Sequence, residues 1–298
     1  MEMKRLTLIR ESRRPKNIRT LLERCGFEDE LKGISSVLLK VNLIGFREKY
    51  GMTSPEAAAE MVRFIKEVNK DIDVVIADAS QEAFQEGKST EEVFKRQKFA
   101  LAKREGAELF PLEKGDYREI QVETIKGERT IRISTLRADL VVSFTPPKTH
   151  PLLVISAAID NIAFGMTHPA DRVHLYGGKL WPEDPLPYYK IASRNIIKVF
   201  KEIKPHIGIV DGLFGMEGRG PISGTPVFHQ FAAASKDFIL LDSLTTAFIG
   251  VDPQKIEYLR LGKDEGLGSM DYYKIIPKER IKQIKFPYRL HPASMKLV

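Results

Sequence analysis

The chain reads as an α/β protein: a mostly parallel sheet with helices on both faces, an antiparallel hairpin insertion and a Gly/Pro-rich cover loop. Three observations predict this. Short apolar runs alternate with segments of helical period, the pattern of a parallel sheet crossed by helices. Several apolar runs end in polar residues, as Asp78, Asp211 and the Lys148–Thr149–His150 triplet do. One stretch, residues 117–133, alternates apolar and polar side chains about a turn at Lys126 and Gly127, which predicts an edge hairpin.

The elements follow in order. Residues 6–9 predict a strand, and residues 15–25 a helix with Ile18, Leu21 and Leu22 on its apolar face. Residues 37–44 are apolar except for Lys40 and Asn42, which a strand of period two places on one face. Ser54 before Pro55 and Glu56 is a strong helix start, an N-cap followed by proline at the first helical position. Residues 72–77 form a strand ending at Asp78, and Ser89 opens a helix to about Lys103. Residues 107–112 predict a further strand.

After the hairpin, residues 140–144 are a buried strand, stopped by Pro146 and Pro147. Residues 165–187 predict a mobile Gly- and Pro-rich cover that carries the only tryptophan, Trp181. A helix from 188 to 204, a strand 207–210, the glycine-rich segment 212–226, an apolar run 227–234, a helix 238–249, a helix after Asp252 and a last strand 281–286 complete the reading. The whole chain, 1–298, is expected to be one α/β domain, with two lobes divided near residue 135 as the alternative.

Composition bounds the function. Charged residues make up 29% and hydrophobic residues 43%, as in an ordinary globular protein. No run of 18 apolar residues exists, and the N-terminal residues lack a signal-like apolar core, so the expected address is cytoplasmic. The single cysteine, Cys25, excludes an internal disulfide and a cysteine-ligated iron–sulfur cluster and is read as structural. Asn occurs 5 times and Gln 7 times against abundant Lys, Arg and Glu, a thermophile-like balance. The net charge of +7 is spread along the chain, without the aromatic interleaving of a single-strand binder. It points to a small anionic partner, with nucleic acid the weaker alternative. The sequence leaves homo-oligomer formation open.

Polar groups at the carboxyl ends of parallel strands are where α/β proteins bind ligands. Lys40, Asp78, Lys148, His150 and Asp211 are therefore expected to line one cleft, with Lys148, His150, Asp160, His174 and Asp211 as catalytic candidates. Lys40, Asn42, Asp78, Asn161, Gly218 and Gly220 are the binding candidates. Lys40 and Lys148 would hold an anion, His150 or His174 would move a proton, and Asp160 or Asp211 would orient that base. Beside Lys148, His150 is expected to stay neutral. The glycine-rich segment fits neither a phosphate loop nor a dinucleotide fingerprint, so it is either an anion cradle or a plain turn-rich loop. His150, His168 and His174 are candidates for a divalent metal, without helical spacing to support it. Each residue alone also has a structural reading: Asp78 as a helix cap, Lys40 as a snorkelling surface lysine.

The blocks VLLKVNLIG, IADAS, ADLVVSFTPPKTH, IDNIAFG, IVDGLFGMEGRGPISGTP, AAASKDFILLDSLTTAFIGVDP and DEGLG resemble, in order, those of the family called domain of unknown function 362. The resemblance runs from Ser35 to Gly268 and implies the fold and the site more than a reaction. Relatives often carry a cluster-binding ferredoxin-like segment, which the single cysteine here does not supply. The family's usual lysine before the asparagine of IDN is Asp160 in this chain, which implies altered or absent activity if that lysine is essential in relatives. The Lys–His loop followed by a second His loop is also loosely similar to lactate racemase and its nickel-pincer relatives. These readings converge on an acid–base enzyme, of isomerase or lyase type, for a small anion. A non-catalytic ligand- or metal-binding sensor on the same scaffold is the alternative, and a nucleic-acid binder the third.

Overall fold

The computed structural model of the chain describes residues 3–13, 15–45 and 50–298. Its strands are β1 (Thr7–Arg10), β2 (Ser36–Lys40), β3 (Asp73–Asp78), β4 (Ala107–Pro111), β5 (Tyr117–Thr124), β6 (Gly127–Ser134), β7 (Leu140–Thr145), β8 (Lys148–His150), β9 (Val154–Ser156), β10 (Ile207–Glu217) and β11 (Thr225–Ser235). The main sheet runs β1-β11-β10-β7-β2-β3-β4, with β8 beside β10 and β9. From β10 to β4 the pairings are parallel, whereas β1 and β11 add antiparallel. The central strand β7 is buried at all six positions, as a parallel strand covered on both faces must be.

Helices cover both faces. Lys16–Cys25, Pro55–Val68 and Ala100–Arg104 pack together as one layer; Ala158–Gly165, Leu186–Ile203 and Phe238–Phe248 form another. Local chemistry sets their starts. Ser54 accepts a hydrogen bond from Ala57 N at 3.3 Å with Pro55 behind it, and Ser89 forms a reciprocal capping box with Glu92. Cys25 is buried, its Sγ bonded to Leu22 O at 3.4 Å, and burial pushes its pKa up to about 12, as a structural thiol requires.

The hairpin β5–β6 is a separate two-stranded sheet whose turn closes at Gly127, φ 96°. Its alternation buries Val122, Ile131 and Ile133 on one side.

Several expectations change. The strand through Lys40 ends there, so Asn42 lies beyond it rather than within it. The helix opened at Ser89 is two, Thr90–Arg96 and Ala100–Arg104, divided where Lys98 takes φ 62°. Residues 281–286 are not a strand: Ile281 and Ile284 sit three apart in the helix Lys278–Ile284. The strand 207–210 continues through the glycines to Glu217. A Cβ at Gly212 would lie 2.2 Å from the Phe231 ring, and one at Gly215 would lie 2.1 Å from the Tyr288 hydroxyl. These glycines let aromatic rings lie flush on a strand. The cover segment holds a 3-10 turn, Pro169–Asp171, and a short helix, Arg172–Leu175, before its Gly- and Pro-rich part.

Candidate active site

Lys40 and Asp78 are the last residues of adjacent parallel strands, so the backbone delivers both to the carboxyl edge of the sheet. Lys40 is fully buried. Its Nζ donates to Asp78 Oδ1 at 2.6 Å, to Val41 O at 2.6 Å and to Asn161 Oδ1 at 3.4 Å. Burial lowers its pKa, and the charge of Asp78 opposes that shift. Asp78 also accepts from Leu43 N and, at 2.8 Å, from Ala79 N. Asn161 Nδ2 donates to Lys40 O at 2.9 Å and to Ser143 Oγ at 3.0 Å, tying the helix Ala158–Gly165 across β2 and β7. Asn42 reaches Asn161 Oδ1 at 3.4 Å through Nδ2, while its own Oδ1 is buried with no partner among the described residues. Gly165 is what lets this helix pass over the ammonium, since a Cβ there would fall 2.1 Å from Lys40 Nζ.

A second buried lysine, Lys148, opens β8 just past the turn that ends β7. Pro146 and Pro147 end β7, and β8 then pairs with β10 at Met216 and with β9 in a three-residue hairpin. Lys148 Nζ donates to Thr145 Oγ1 at 3.0 Å and to Pro146 O at 2.9 Å. Both acceptors are neutral. Burial drives its pKa down to about 7; Asp160 opposes the shift and Lys40 adds to it. Asp160 accepts from Tyr176 Oη at 2.9 Å, and its pKa is raised by burial against the hydrogen bonds of Ser156 and Tyr176.

Two members of this cluster were absent from the sequence-derived candidates. Asp242, on Phe238–Phe248, accepts from Ala158 N at 2.9 Å and Ile159 N at 3.0 Å, so it caps the helix that carries Asp160. Burial raises its pKa to about 7. Its signal was the one that marked Asp160, a carboxylate inside an apolar run. Arg172 is fully buried. Its guanidinium donates to Phe164 O at 2.9 Å, Thr167 O at 3.1 Å, Gly165 O at 3.3 Å and Gln81 Oε1 at 3.1 Å, and lies 4.4 Å over the Phe164 ring. Every one of these acceptors is neutral, and the charge that acts most strongly on it is that of Asp78, which lines the same cavity. That cavity is walled by Lys40, Asn42, Asp78, Asp160, Asn161 and Arg172, and has room for about one water molecule.

The remaining candidates lie elsewhere. His150 is buried, its ring 5.3 Å from Tyr176 and 5.9 Å from Trp181. Its Nδ1 accepts from Leu152 N at 3.1 Å and Leu153 N at 3.0 Å, which leaves the proton of the neutral ring on Nε2. Burial lowers its pKa to about 3, with His291 and Lys148 adding smaller shifts in the same direction. As placed, His150 is a donor, and its lone pair is already used. His174 lines a separate hollow with Thr124, Arg129 and Tyr188. His168 packs on Tyr117 at 4.9 Å. The three histidines thus occupy different surroundings, and among the described residues no group of three or more His, Cys, Asp or Glu is placed to hold a metal ion. Asp211 lies within β10 rather than past its end. It accepts from Asn17 Nδ2 at 2.9 Å and Leu213 N at 3.2 Å, which ties it to the N-terminal helix. Gly218 takes φ 75° and its carbonyl accepts from Thr149 Oγ1 at 3.0 Å; Gly220 packs against Thr149 so closely that a Cβ would lie 2.4 Å from its carbonyl oxygen.

Comparison with known proteins gives three findings. The family model described as "Domain of unknown function (DUF362)" matches residues 37–247. The thylakoid-associated protein sll1697 of Synechocystis is 27% identical over 167 residues, covering 54% of this chain and 49% of that protein. The chain thus spans about half the length of this curated relative. The lactate racemase apoprotein of Thermoanaerobacterium thermosaccharolyticum superposes with a TM-score of 0.48 and 14% identity, over 70% of this chain and 50% of that one. Among the described residues, no helix is long and apolar enough to cross a membrane.

Proposed function

The chain belongs to the family of the domain of unknown function 362, and on that footing we propose that it is a cytoplasmic enzyme of acid–base chemistry on a small anionic substrate. One observation carries the reading: Lys148 is fully buried and bonded to neutral acceptors, in the field of a buried carboxyl group, Asp160. A neutral lysine amine that spends its two N–H donors on Thr145 and Pro146 keeps a lone pair for a proton. Its pKa of about 7 puts that lone pair in use near neutral pH. Asp160 steadies the protonated form of Lys148 once the amine has taken its proton. Arg172 holds the anion, Lys40 stays paired with Asp78 in the cavity wall, and the unfilled acceptor of Asn42 takes a hydroxyl or amide proton from the substrate. Admission of a substrate requires the segment that carries Arg172 to move, because the cavity as it stands is small and Lys148 does not line it.

The test is proton exchange. Small carboxylates and phosphates are screened for a rise in Tm, and those that bind are incubated in D2O and followed by NMR. The expected result is deuterium at a carbon-bound position, slowed about 100-fold or more by Lys148→Met. Binding without exchange, unchanged in Lys148→Met, would overturn the enzyme reading. That outcome would favour the second reading, a non-catalytic ligand-binding protein.

A further inference from the structure

A wider pocket opens on the other side of His150. Its volume is ≈ 570 Å³, within the range of small-molecule sites. Pro151, the residue after His150, and Trp181 form part of its wall, with Pro221 and Ile222 from the segment after β10. That segment is held in place. Thr149 Oγ1 donates to Gly218 O at 3.0 Å, and Gly220 lies flush on the Thr149 carbonyl. The pocket therefore has a fixed apolar body with a large ring, Trp181, on one side.

Its charged groups are arranged differently from those of the buried cluster. Arg219 and Lys296 both line it, both are exposed, and neither has an ion-pair partner among the described residues. His291 lines it too. Burial and the nearby Arg219 hold that imidazole below its usual pKa, so the ring is neutral at pH 7. Its Nδ1 accepts from Ala293 N at 3.1 Å, which puts its proton on Nε2 as a donor. The single acid in the lining, Glu183, is exposed. Two cations and one N–H donor against one acid, around an apolar wall with an indole, match a flat apolar molecule that ends in an anion.

We propose that this pocket binds a small aromatic or otherwise flat apolar molecule bearing a carboxylate or phosphate, with Trp181 against its body and Arg219 and Lys296 on its anionic group. The site is separate from the buried cluster and does not require that cluster to turn anything over. Trp181 is the only tryptophan of the chain, so all of its indole emission arises at the wall of this pocket.

The probes are 4-nitrobenzoate and 4-nitrophenyl phosphate, whose nitroaromatic body quenches indole emission, with neutral 4-nitrobenzyl alcohol and inorganic phosphate as the two halves of the ligand. The chain should show saturable quenching by one or both aromatic anions, and the tighter of the two identifies the head group. The alcohol should bind about tenfold or more weakly, as should the anions to the Arg219→Gln/Lys296→Gln variant, since each charge-assisted hydrogen bond lost is worth about that factor. Inorganic phosphate should leave the emission unchanged. Lys148→Met should bind the anions as the parent does, so a failure of proton exchange in the cluster leaves this proposal standing. Quenching that is linear in concentration, equal for the alcohol and the anions, or unaffected in the double variant would overturn it.

Discussion

Lys40 ends β2 and Lys148 opens β8 just past the end of the neighbouring strand β7; both are fully buried, yet they meet different surroundings. Lys40 has a carboxylate at 2.6 Å, a carbonyl and an amide oxygen, which is as complete a set as an ammonium can take. Lys148 has a hydroxyl and a carbonyl. A buried charge with its counter-charge in contact is held charged, whereas one with neutral acceptors alone is pushed toward the neutral amine. The comparison teaches that burial by itself does not mark a reactive lysine; the missing counter-ion does. Lys40 belongs to the frame of the site, and Lys148 is the group free to change its protonation.

Breaking the Lys40 pair should have the largest effect. Asp78→Ala removes the counter-charge and the acceptor of two backbone N–H groups at once, leaving an uncompensated ammonium in the core. The expected loss is about 3–5 kcal/mol of unfolding free energy, read from urea denaturation at constant m-value. A loss below about 1 kcal/mol would mean that Lys40 is neutral as well, and the contrast between the two lysines would fall.

The pH dependence of stability separates them next. Lys148 has a folded pKa of about 7 against the ordinary 10.5. Between those values the unfolded chain holds a proton that the folded chain has released, so its contribution makes stability rise as pH climbs from 7 to 10.5. Asp242 acts in the opposite sense at lower pH. Its folded pKa of about 7 lies above 3.8, so the folded chain holds the extra proton and stability falls as pH rises through that window. Lys148→Met should flatten the upper limb by on the order of 3 kcal/mol and leave the lower one in place. Stability curves of parent and variant that stay parallel from pH 7 to 10 would show that Lys148 remains protonated.

Gly165→Ala probes how tightly Lys40 is held. The added methyl would lie 2.1 Å from Nζ and 3.5 Å from Asp78 Oδ1, so either the ammonium leaves its acceptors or the helix Ala158–Gly165 lifts. A loss of about 1–3 kcal/mol is expected, as for other overpacked sites, despite the better helix propensity of alanine. A gain in Tm would show that the helix has slack over Lys40.

The sheet was legible because its signals are local. The all-apolar β7, the Ser54–Pro55 helix start and the alternation of β5 and β6 each follow from a few adjacent residues. The closeness of Lys40 and Asp78 follows from adjacent parallel strands, which bring their carboxyl ends to one edge, whereas Asn161 reaches them from a helix. What could not be read depends on contacts across the fold. Gly212 and Gly215 look like turn residues until Phe231 and Tyr288 are seen against them. The β8–β9 hairpin is too short to show a period. Arg172 looks like any surface arginine in a polar loop, and only its burial under Gln81 and the Phe164 ring sets it apart. Asp211 was misplaced because β10 continues beyond it, which turns a residue expected at a strand end into one that serves the N-terminal helix.

The smallest expected effect lies on the Lys148 side. Asp160 is the carboxylate whose field acts most strongly on Lys148, and Tyr176 is the group that donates to it, at 2.9 Å. Tyr176→Phe keeps the ring stacked on Phe164 and against His150 while removing that one donor. Asp160 keeps its hydrogen bond with Ser156, so the loss should be about 1 kcal/mol at neutral pH rather than the larger cost of a stranded charge. The sign of the pH dependence follows from the bond. A donor to the carboxylate lowers its pKa, so its removal raises the Asp160 pKa further. The destabilisation should then shrink as pH falls and Asp160 becomes protonated in both proteins. Because the ionised Asp160 is what holds up the pKa of Lys148, the rise in stability between pH 7 and 10.5 should begin at lower pH in the variant than in the parent. A Tyr176→Phe protein with the parent's pH profile would show that Asp160 does not govern Lys148, and the two lysines would have to be told apart by hydrogen bonding alone.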